Sequence, residues 1–421
     1  MLYYWLKFMM RMALSIYYRK RIFTGFDNVP ATGPAIFACN HPNSFLDAMI
    51  IGAYIKRETH FLARSDVFNS PLKLWILSQF KLIPIYRLQE GAENLNKNKE
   101  TFERCHAIFR KGGTVLMFSE GLCIQEMRLR PLKKGTARIA LEYAKDGAAL
   151  TIIPTGLNYM KPTIFRQDIL ISMDTPFNAA DYAAEFNENS SKGIASLNKR
   201  LETGLQNSVI DINDKQKEKE IVQLIEVEYN NGADLTKLVH TVKQVNELQK
   251  ADANVYNDLI SLLGSYKAEL DRNKVDDETV VGRPPSMLWL VPALLIFSIA
   301  IWLYVVPLGP AVRLVSKKVR LAEFKDSVLI GASVIFVFFF WLIAFIVVST
   351  TVNVVAGVQV ILIFLLVGSL TGPCYDVMLL VRTRKTFESL PDRSKIEELR
   401  KRVSASILNL VKTHQAHHPV G

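Results

Sequence analysis

The chain has 421 residues, with 51 Lys and Arg against 40 Asp and Glu, a formal net charge of +11, and 49% hydrophobic residues. So much apolar material excludes intrinsic disorder, and at roughly 100–200 residues per domain the length allows two or three folded units. Four cysteines (Cys39, Cys105, Cys123, Cys374) without a C-x-x-C pair exclude a disulfide framework and a zinc ribbon. Basic and greasy together point to an anionic membrane surface, and no nucleic-acid partner is expected.

Residues 1–34 open with an apolar, aromatic segment that contains Lys7 and Arg11 and closes on Arg19-Lys20-Arg21. It lacks the order of a cleaved signal peptide and reads as a helix lying in the bilayer interface with its lysines snorkelling, the alternative being a helix packed on the core. In residues 35–185 short apolar runs (Ala35–Cys39, Thr114–Phe118, Leu150–Ile153, Ile169–Met173) alternate with helical stretches (Phe45–Ile55, Leu95–Lys111, Thr136–Asp146). That alternation predicts an α/β unit, a mainly parallel sheet flanked by helices.

Residues 186–285 are polar and predict a helical insert, a hairpin or bundle edge. There Leu238, Val242, Val245, Tyr256, Leu259, Leu263, Tyr266 and Leu270 share one heptad frame, broken at Gln249 and Asp252. Residues 286–385 form the membrane region. Met287–Tyr304 is uncharged, and Ser327–Leu380 is apolar but for Asp376. Two transmembrane helices are expected at Val328–Val348 and Val354–Leu370, joined by Ser349-Thr350-Thr351. Residues 386–421 predict an amphipathic C-terminal helix and a His-containing tail, with no metal site expected.

The chemistry concentrates in two clusters. In AIFACNHPNSFLDAMII a strand runs into Asn40-His41-Pro42 and a helix begins near Ser44, so His41 lies at a strand's C-terminal end, where α/β sheets bind ligands. Asp47, one turn into that helix, either orients the imidazole as a base or serves only the helix N-terminus, because Ser44–Asp47 has capping-box spacing. In VLMFSEGLCIQEMRLRPLKKGTARIAL a strand ends at Phe118, Glu120-Gly121 opens a loop, and Arg128, Arg130, Lys133 and Lys134 precede a helix. Such cations form an anion site or a solvated basic face. Arg87 follows the short strand in KLIPIYR and adds a further phosphate candidate. The absence of G-x-S-x-G, H-E-x-x-H and P-loop patterns removes support for a serine hydrolase, a zinc protease and a P-loop ATPase.

With these residues in place, the sequence resembles the phospholipid/glycerol acyltransferase family. Its four blocks appear in order as Asn40-His41…Asp47, Ile83-Pro84-Ile85-Tyr86-Arg87, Phe118-Ser119-Glu120-Gly121 and Ile153-Pro154-Thr155-Gly156-Leu157-Asn158-Tyr159. Five residues separate His41 from Asp47, where the commonest family form has four; this is similar to the branch acting on glycerol-3-phosphate and dihydroxyacetone phosphate. Leu122 and Cys123 stand where an Arg usually follows.

The resemblance implies His41 as general base and Asp47 as its orienting carboxylate, with direct transfer from acyl-CoA or acyl-carrier protein. Asn40, Arg87, Glu120, Gly121, Arg128, Arg130 and Lys133 are the implied substrate-binding residues, and no cofactor is implied. The expected activity is sn-1 acylation of glycerol-3-phosphate in phospholipid synthesis. The alternatives are a lysophospholipid acyltransferase and, from another class, a catalytically inactive membrane scaffold. Arg313, Lys317, Lys318, Arg320 and Lys325, with Arg382, Arg384 and Lys385, predict by the positive-inside rule an integral membrane protein whose catalytic domain faces the cytoplasm. On that orientation Pro292, Pro307 and Pro310 can bend the first apolar run into a re-entrant hairpin, the rival being three complete spans with the basic loop or the C-terminal tail on the far side.

Overall fold

The computed structural model describes residues 2–86, 98–161, 164–282, 287–318 and 322–417, so Arg87 and Arg320 lie outside the described residues. The strands are β1 (Arg21–Thr24), β2 (Ala35–Cys39), β3 (Thr59–Arg64), β4 (Leu82–Ile85), β5 (Thr114–Phe118), β6 (Thr151–Tyr159), β7 (Ile169–Met173) and β8 (Phe177–Asn178). They form one sheet in the order β1-β7-β6-β2-β5-β3-β4, with β8 pairing β6. Pairing is parallel except where β7 and β8 run antiparallel to β6. β2 is central, and all five of its residues are buried because helices cover both faces. The sheet begins at Arg21 rather than at residue 35: β1 pairs with β7 at one edge.

On one face lie α1 (Leu2–Tyr17) and α2 (Ser44–Tyr54). α2 is apolar almost all round, as befits a helix held between sheet and further helices. Lys7 and Arg11 of α1 do not snorkel; they donate to the carbonyls of Ile55 and Ala53 and so satisfy the C-terminal end of α2. α3 (Pro71–Gln79) lies between β3 and β4 in sequence. On the other face are α4 (Asn98–Arg110), α5 (Gly135–Ala144) and, beyond the short α6 (Ala183–Glu188), α7 (Ser190–Ser208). Ile194, Leu197, Leu201 and Leu205 of α7 share the core of β2 and β5. Packing therefore assigns α7 to the layer that covers the sheet, and the insert begins after Ser208 instead of at residue 186.

The insert comprises α8 (Glu218–Asn230), α9 (Leu235–Ala251), α10 (Ala253–Asn273) and α11 (Asp277–Val281). All eight residues of the expected heptad stripe are buried. The stripe breaks at Asp252 because Asp252 caps α10, accepting from the amides of Asn254 and Val255. α12 (Leu290–Ala300) and α13 (Val306–Lys318) follow, and Leu290–Tyr304 is bent by 66° against Leu308–Val315. α14 (Ala322–Thr351) and α15 (Val354–Glu388) are long and apolar enough to cross a membrane. Thr350 and Thr351 belong to the last turn of α14, where their hydroxyls bond back to the carbonyls of Ile346 and Val347, so the reversal falls at Val352-Asn353. The C-terminal helix α16 (Arg393–His417) buries Ile396, Val403 and Ile407 in the core of the insert, not at a bilayer.

Asp376, the lone acid of the last apolar run, pairs with Arg166, which precedes β7. Arg166 also donates to the carbonyls of Ser15, Ile16 and Tyr18 at the end of α1. Gly372 makes this approach feasible: a Cβ there would lie 2.6 Å from the Arg166 Nη1. One guanidinium thus ties α1, α15 and the sheet together.

Candidate active site

β2 and β5 end side by side, with Cys39 opposite Phe118, so the residues that follow each strand meet. His41 stacks on Phe118, the ring centroids 3.7 Å apart and the planes 10° from parallel. Its Nδ1 lies 2.9 Å from Asp47 Oδ2. Asp47 is wholly buried, and its Oδ2 also accepts the Asn43 amide at 2.8 Å while Oδ1 accepts the Tyr159 phenol at 2.5 Å. The two readings of Asp47 are therefore not exclusive: one carboxylate ties down the helix start and holds the imidazole. With Asp47 ionised, Nδ1 carries the proton and Nε2 keeps its lone pair, the arrangement a general base needs.

β6 runs on past the end of β2, and this overshoot brings Tyr159 over Asp47. Ile153, Leu157 and Tyr159 face α2 together, since alternate residues of a strand share a face. Burial and the Asp47 charge push the Tyr159 phenol far above its usual range, so it remains a donor. Asn40 is engaged in the same overshoot. Its amide donates to the Leu157 carbonyl at 3.0 Å and accepts from the Leu157 N–H at 2.8 Å, which makes it a buried clasp between β2 and β6.

Glu120 is buried, and both of its oxygens are taken by backbone amides: His41 at 3.0 Å and Arg130 at 2.9 Å. Burial raises its carboxyl, opposed by those two N–H groups and by the Arg130 charge. It links the turn at His41 to the basic loop rather than facing open space. Gly121 has φ +70°, and a Cβ there would lie 2.9 Å from Lys133 Cγ; Lys133 is anchored by its amide to the Ser119 carbonyl at 2.8 Å and exposes its side chain. Cys123 answers for the missing Arg position: its sulfur accepts from the Ser44 amide at 3.0 Å.

The structure separates the two loop arginines. Arg130 has a side chain only 13% exposed; its Nη2 donates to the Ile124 carbonyl at 3.1 Å and pairs with Glu126 Oε2 at 3.4 Å, while its buried Nη1 has no hydrogen-bond partner. Arg128 stands near Asp211 of the insert, whose carboxyl burial raises while the Leu129 amide and the Arg128 charge oppose. The insert clamps this loop further. The Met127 amide donates to Glu218, its carbonyl accepts from Ile212, and Lys215 pairs with Glu126. His41, Asp47, Glu120, Gly121, Arg130 and Lys133 thus lie in one place, whereas Arg128 faces the insert and Asn40 is internal. Among the described residues no group of three or more His, Cys, Asp or Glu is arranged to hold a metal ion.

A mostly parallel sheet carrying a His–Asp pair at the end of its central strand is the arrangement seen here, and residues 20–158 match the model of the acyltransferase family. Over that third of the chain the sequence is similar to that family's. It is 27% identical over 146 residues to the chloroplastic 1-acyl-sn-glycerol-3-phosphate acyltransferase BAT2 of Brassica napus, covering 34% of this chain and 40% of that one. A 1-acyl-sn-glycerol-3-phosphate acyltransferase of Cocos nucifera is 26% identical over 132 residues, 31% of this chain and 41% of its own. One from Chlamydomonas reinhardtii is 23% identical over 133 residues, 31% and 38% respectively. The chain spans about two fifths of the length of these relatives. The crystal structure of the 1-acyl-sn-glycerophosphate acyltransferase PlsC from Thermotoga maritima superposes with a TM-score of 0.34 at 18% identity, over 48% of this chain and 79% of that one.

Proposed function

We propose that the chain is a membrane-attached O-acyltransferase whose acceptor is a phosphate-bearing glycerolipid of the 1-acyl-sn-glycerol-3-phosphate type. The observation that carries this reading is the His41–Asp47 pair at 2.9 Å, with Arg130 tethered to the same turn through Glu120. His41 Nε2 takes the proton of the acceptor hydroxyl as its oxygen attacks the thioester carbonyl of acyl-CoA or acyl-carrier protein. Asp47 stabilises the imidazolium that forms. As the carbon–sulfur bond breaks, His41 returns the proton to the departing thiolate. No acyl-enzyme is invoked, since Cys123 is engaged with the start of α2. Arg130 and Lys133 are the proposed partners of the acceptor phosphate.

The curated relatives are named for 1-acyl-sn-glycerol-3-phosphate, which favours that acceptor over the glycerol-3-phosphate expected from the sequence. The five residues between His41 and Asp47 keep glycerol-3-phosphate as the second acceptor to test. The catalytic domain is proposed to face the cytoplasm, with α14 and α15 as a hairpin and the bent α12–α13 segment as a re-entrant loop. The experiment is transfer from radiolabelled palmitoyl-CoA by the full-length protein in lipid nanodiscs, with each acceptor in turn. Transfer to lysophosphatidic acid that His41→Ala abolishes supports the reading. Folded protein inert toward both phosphorylated acceptors contradicts it.

A further inference from the structure

α2 starts without a cap of its own. Asn43 occupies the N-cap position, yet its side-chain oxygen and nitrogen are both buried without a partner, and Ser44 takes φ +50°. The left-handed residue absorbs the fifth position between His41 and Asp47, and the first-turn amides are then satisfied from elsewhere. The Ser44 amide goes to Cys123. The Leu46 amide, shared with the Asn43 carbonyl, donates to Ser327 Oγ at 3.1 Å, and Ser327 donates back to the Asn43 carbonyl at 3.4 Å.

Ser327 is 1% exposed and opens the apolar stretch Ser327–Thr351 of α14. Its hydroxyl holds both ends of the Asn43–Leu46 turn. Asn43 is thereby pinned twice, by Ser327 at its carbonyl and by Asp47 at its amide. The contact does not stand alone. Ile330 and Val334 are buried in the same core as Leu46 and Ile50, and Phe338 meets Trp5 of α1 edge-on at 4.6 Å.

We propose that Ser327, at the foot of a spanning helix, is a positioning residue for the His41–Asp47 pair. The inference rests on the catalytic reading of that pair given above. Ser327 bonds to the backbone of Leu46 and Asn43 and not to the imidazole; it fixes the turn from which Asp47 holds His41. Loss of the hydroxyl leaves the Asn43 carbonyl and the Leu46 amide with only the 3.1 Å bond they make to each other, so the turn loses its tie to α14 and the carboxylate its fixed seat.

The test uses full-length protein in nanodiscs, palmitoyl-CoA with lysophosphatidic acid, and hydrogen exchange read by mass spectrometry. Ser327→Ala is expected to lower kcat about ten- to a hundredfold with both KM values within about twofold, since small misplacement of a catalytic group costs turnover rather than binding. Ser327→Thr, which keeps the hydroxyl, should restore most of that turnover. Exchange should accelerate in the peptide over residues 42–47 and not in β5. Ser349→Ala, at the other end of the same helix, should change nothing, because its hydroxyl makes no hydrogen bond. Wild-type turnover and wild-type protection in Ser327→Ala would overturn the proposal. So would exchange that rises throughout the sheet without rescue by Thr, the mark of a merely structural role. If the wild-type protein transfers no acyl group to either phosphorylated acceptor, the functional reading fails, and the exchange at residues 42–47 still decides whether Ser327 holds the turn.

Discussion

Tyr159 donates its phenol to Asp47 across 2.5 Å, from a strand 112 residues further along the chain. With this bond, every oxygen of the buried carboxylate that steadies His41 has a donor. Tyr159→Phe leaves the buried Asp47 Oδ1 unpaired, a loss of about 1–3 kcal/mol for a buried polar group. We expect turnover to fall about tenfold while the KM for either substrate holds, because the phenol touches neither. Steady-state kinetics on the Phe variant check this, and unchanged turnover would show that Asp47 needs no second anchor.

The two loop arginines should respond differently. Arg130→Ala is expected to raise the KM for the phosphorylated acceptor about tenfold or more, as removal of a charge-assisted donor does, and to leave the KM for palmitoyl-CoA nearly unchanged. Arg128→Ala should act less on the acceptor and more on stability, because Arg128 stands near Asp211. Acceptor titrations at saturating donor distinguish the two. Equal acceptor effects would mean that both reach the phosphate.

Acid sensitivity is expected at Asp168. Burial works to raise this carboxyl, but the two N–H bonds from Arg19, with Tyr229 and the Lys20 charge, outweigh it and hold it below the usual range. A depressed carboxyl contributes stability above its unfolded pKa of about 4 and loses it as the pH falls through the folded value. Asp168→Asn should cost about 1.5–3 kcal/mol at pH 7, as loss of hydrogen bonds to a charged group does, and less as the pH falls below about 4. Thermal unfolding of both proteins across that range measures it, and a constant difference at all pH values would contradict the assignment.

Val352, 67% exposed, lies at the reversal between α14 and α15. On the proposed orientation that reversal is outside the cell. Val352→Cys should therefore react with an impermeant maleimide in intact cells, well above the background of the unsubstituted chain. Labelling only after permeabilisation would invert the hairpin.

Much of the sheet is legible because buried strands are written as continuous apolar runs: Ala35–Cys39, Thr114–Phe118 and Ile169–Met173 coincide with β2, β5 and β7. β1 and β3 are not, since RIFT and THFLAR mix charge with apolar residues and are only half buried. β6 outruns its expected end at Ile153 because Pro154 and Gly156 look like breakers. Here they serve close approach to α7, where a Cβ on Gly156 would lie 2.1 Å from the Ser208 carbonyl. In the site, local spacing singles out His41 and leaves Asp47 open between base-orienting carboxylate and helix cap, and Glu120 enters through the family resemblance. Tyr159, Cys123 and Ser327 are not found by local spacing, because their bonds to the α2 turn span 112, 79 and 281 residues, and no local pattern encodes contacts of that range.

The charge on Asp47 carries the central claim, and Asp47→Asn isolates it. An asparagine can keep its oxygen toward His41 and Asn43 and turn its amide to the Tyr159 oxygen, so the geometry survives while the negative charge does not. The direct measurement is kcat for transfer of a labelled palmitoyl group from palmitoyl-CoA to lysophosphatidic acid, by wild-type and Asp47→Asn proteins with matching circular dichroism. A fall of about a hundredfold or more at unchanged KM is predicted, in line with general-base catalysis of this kind. Wild-type turnover in Asp47→Asn would reduce Asp47 to a helix cap and contradict the account.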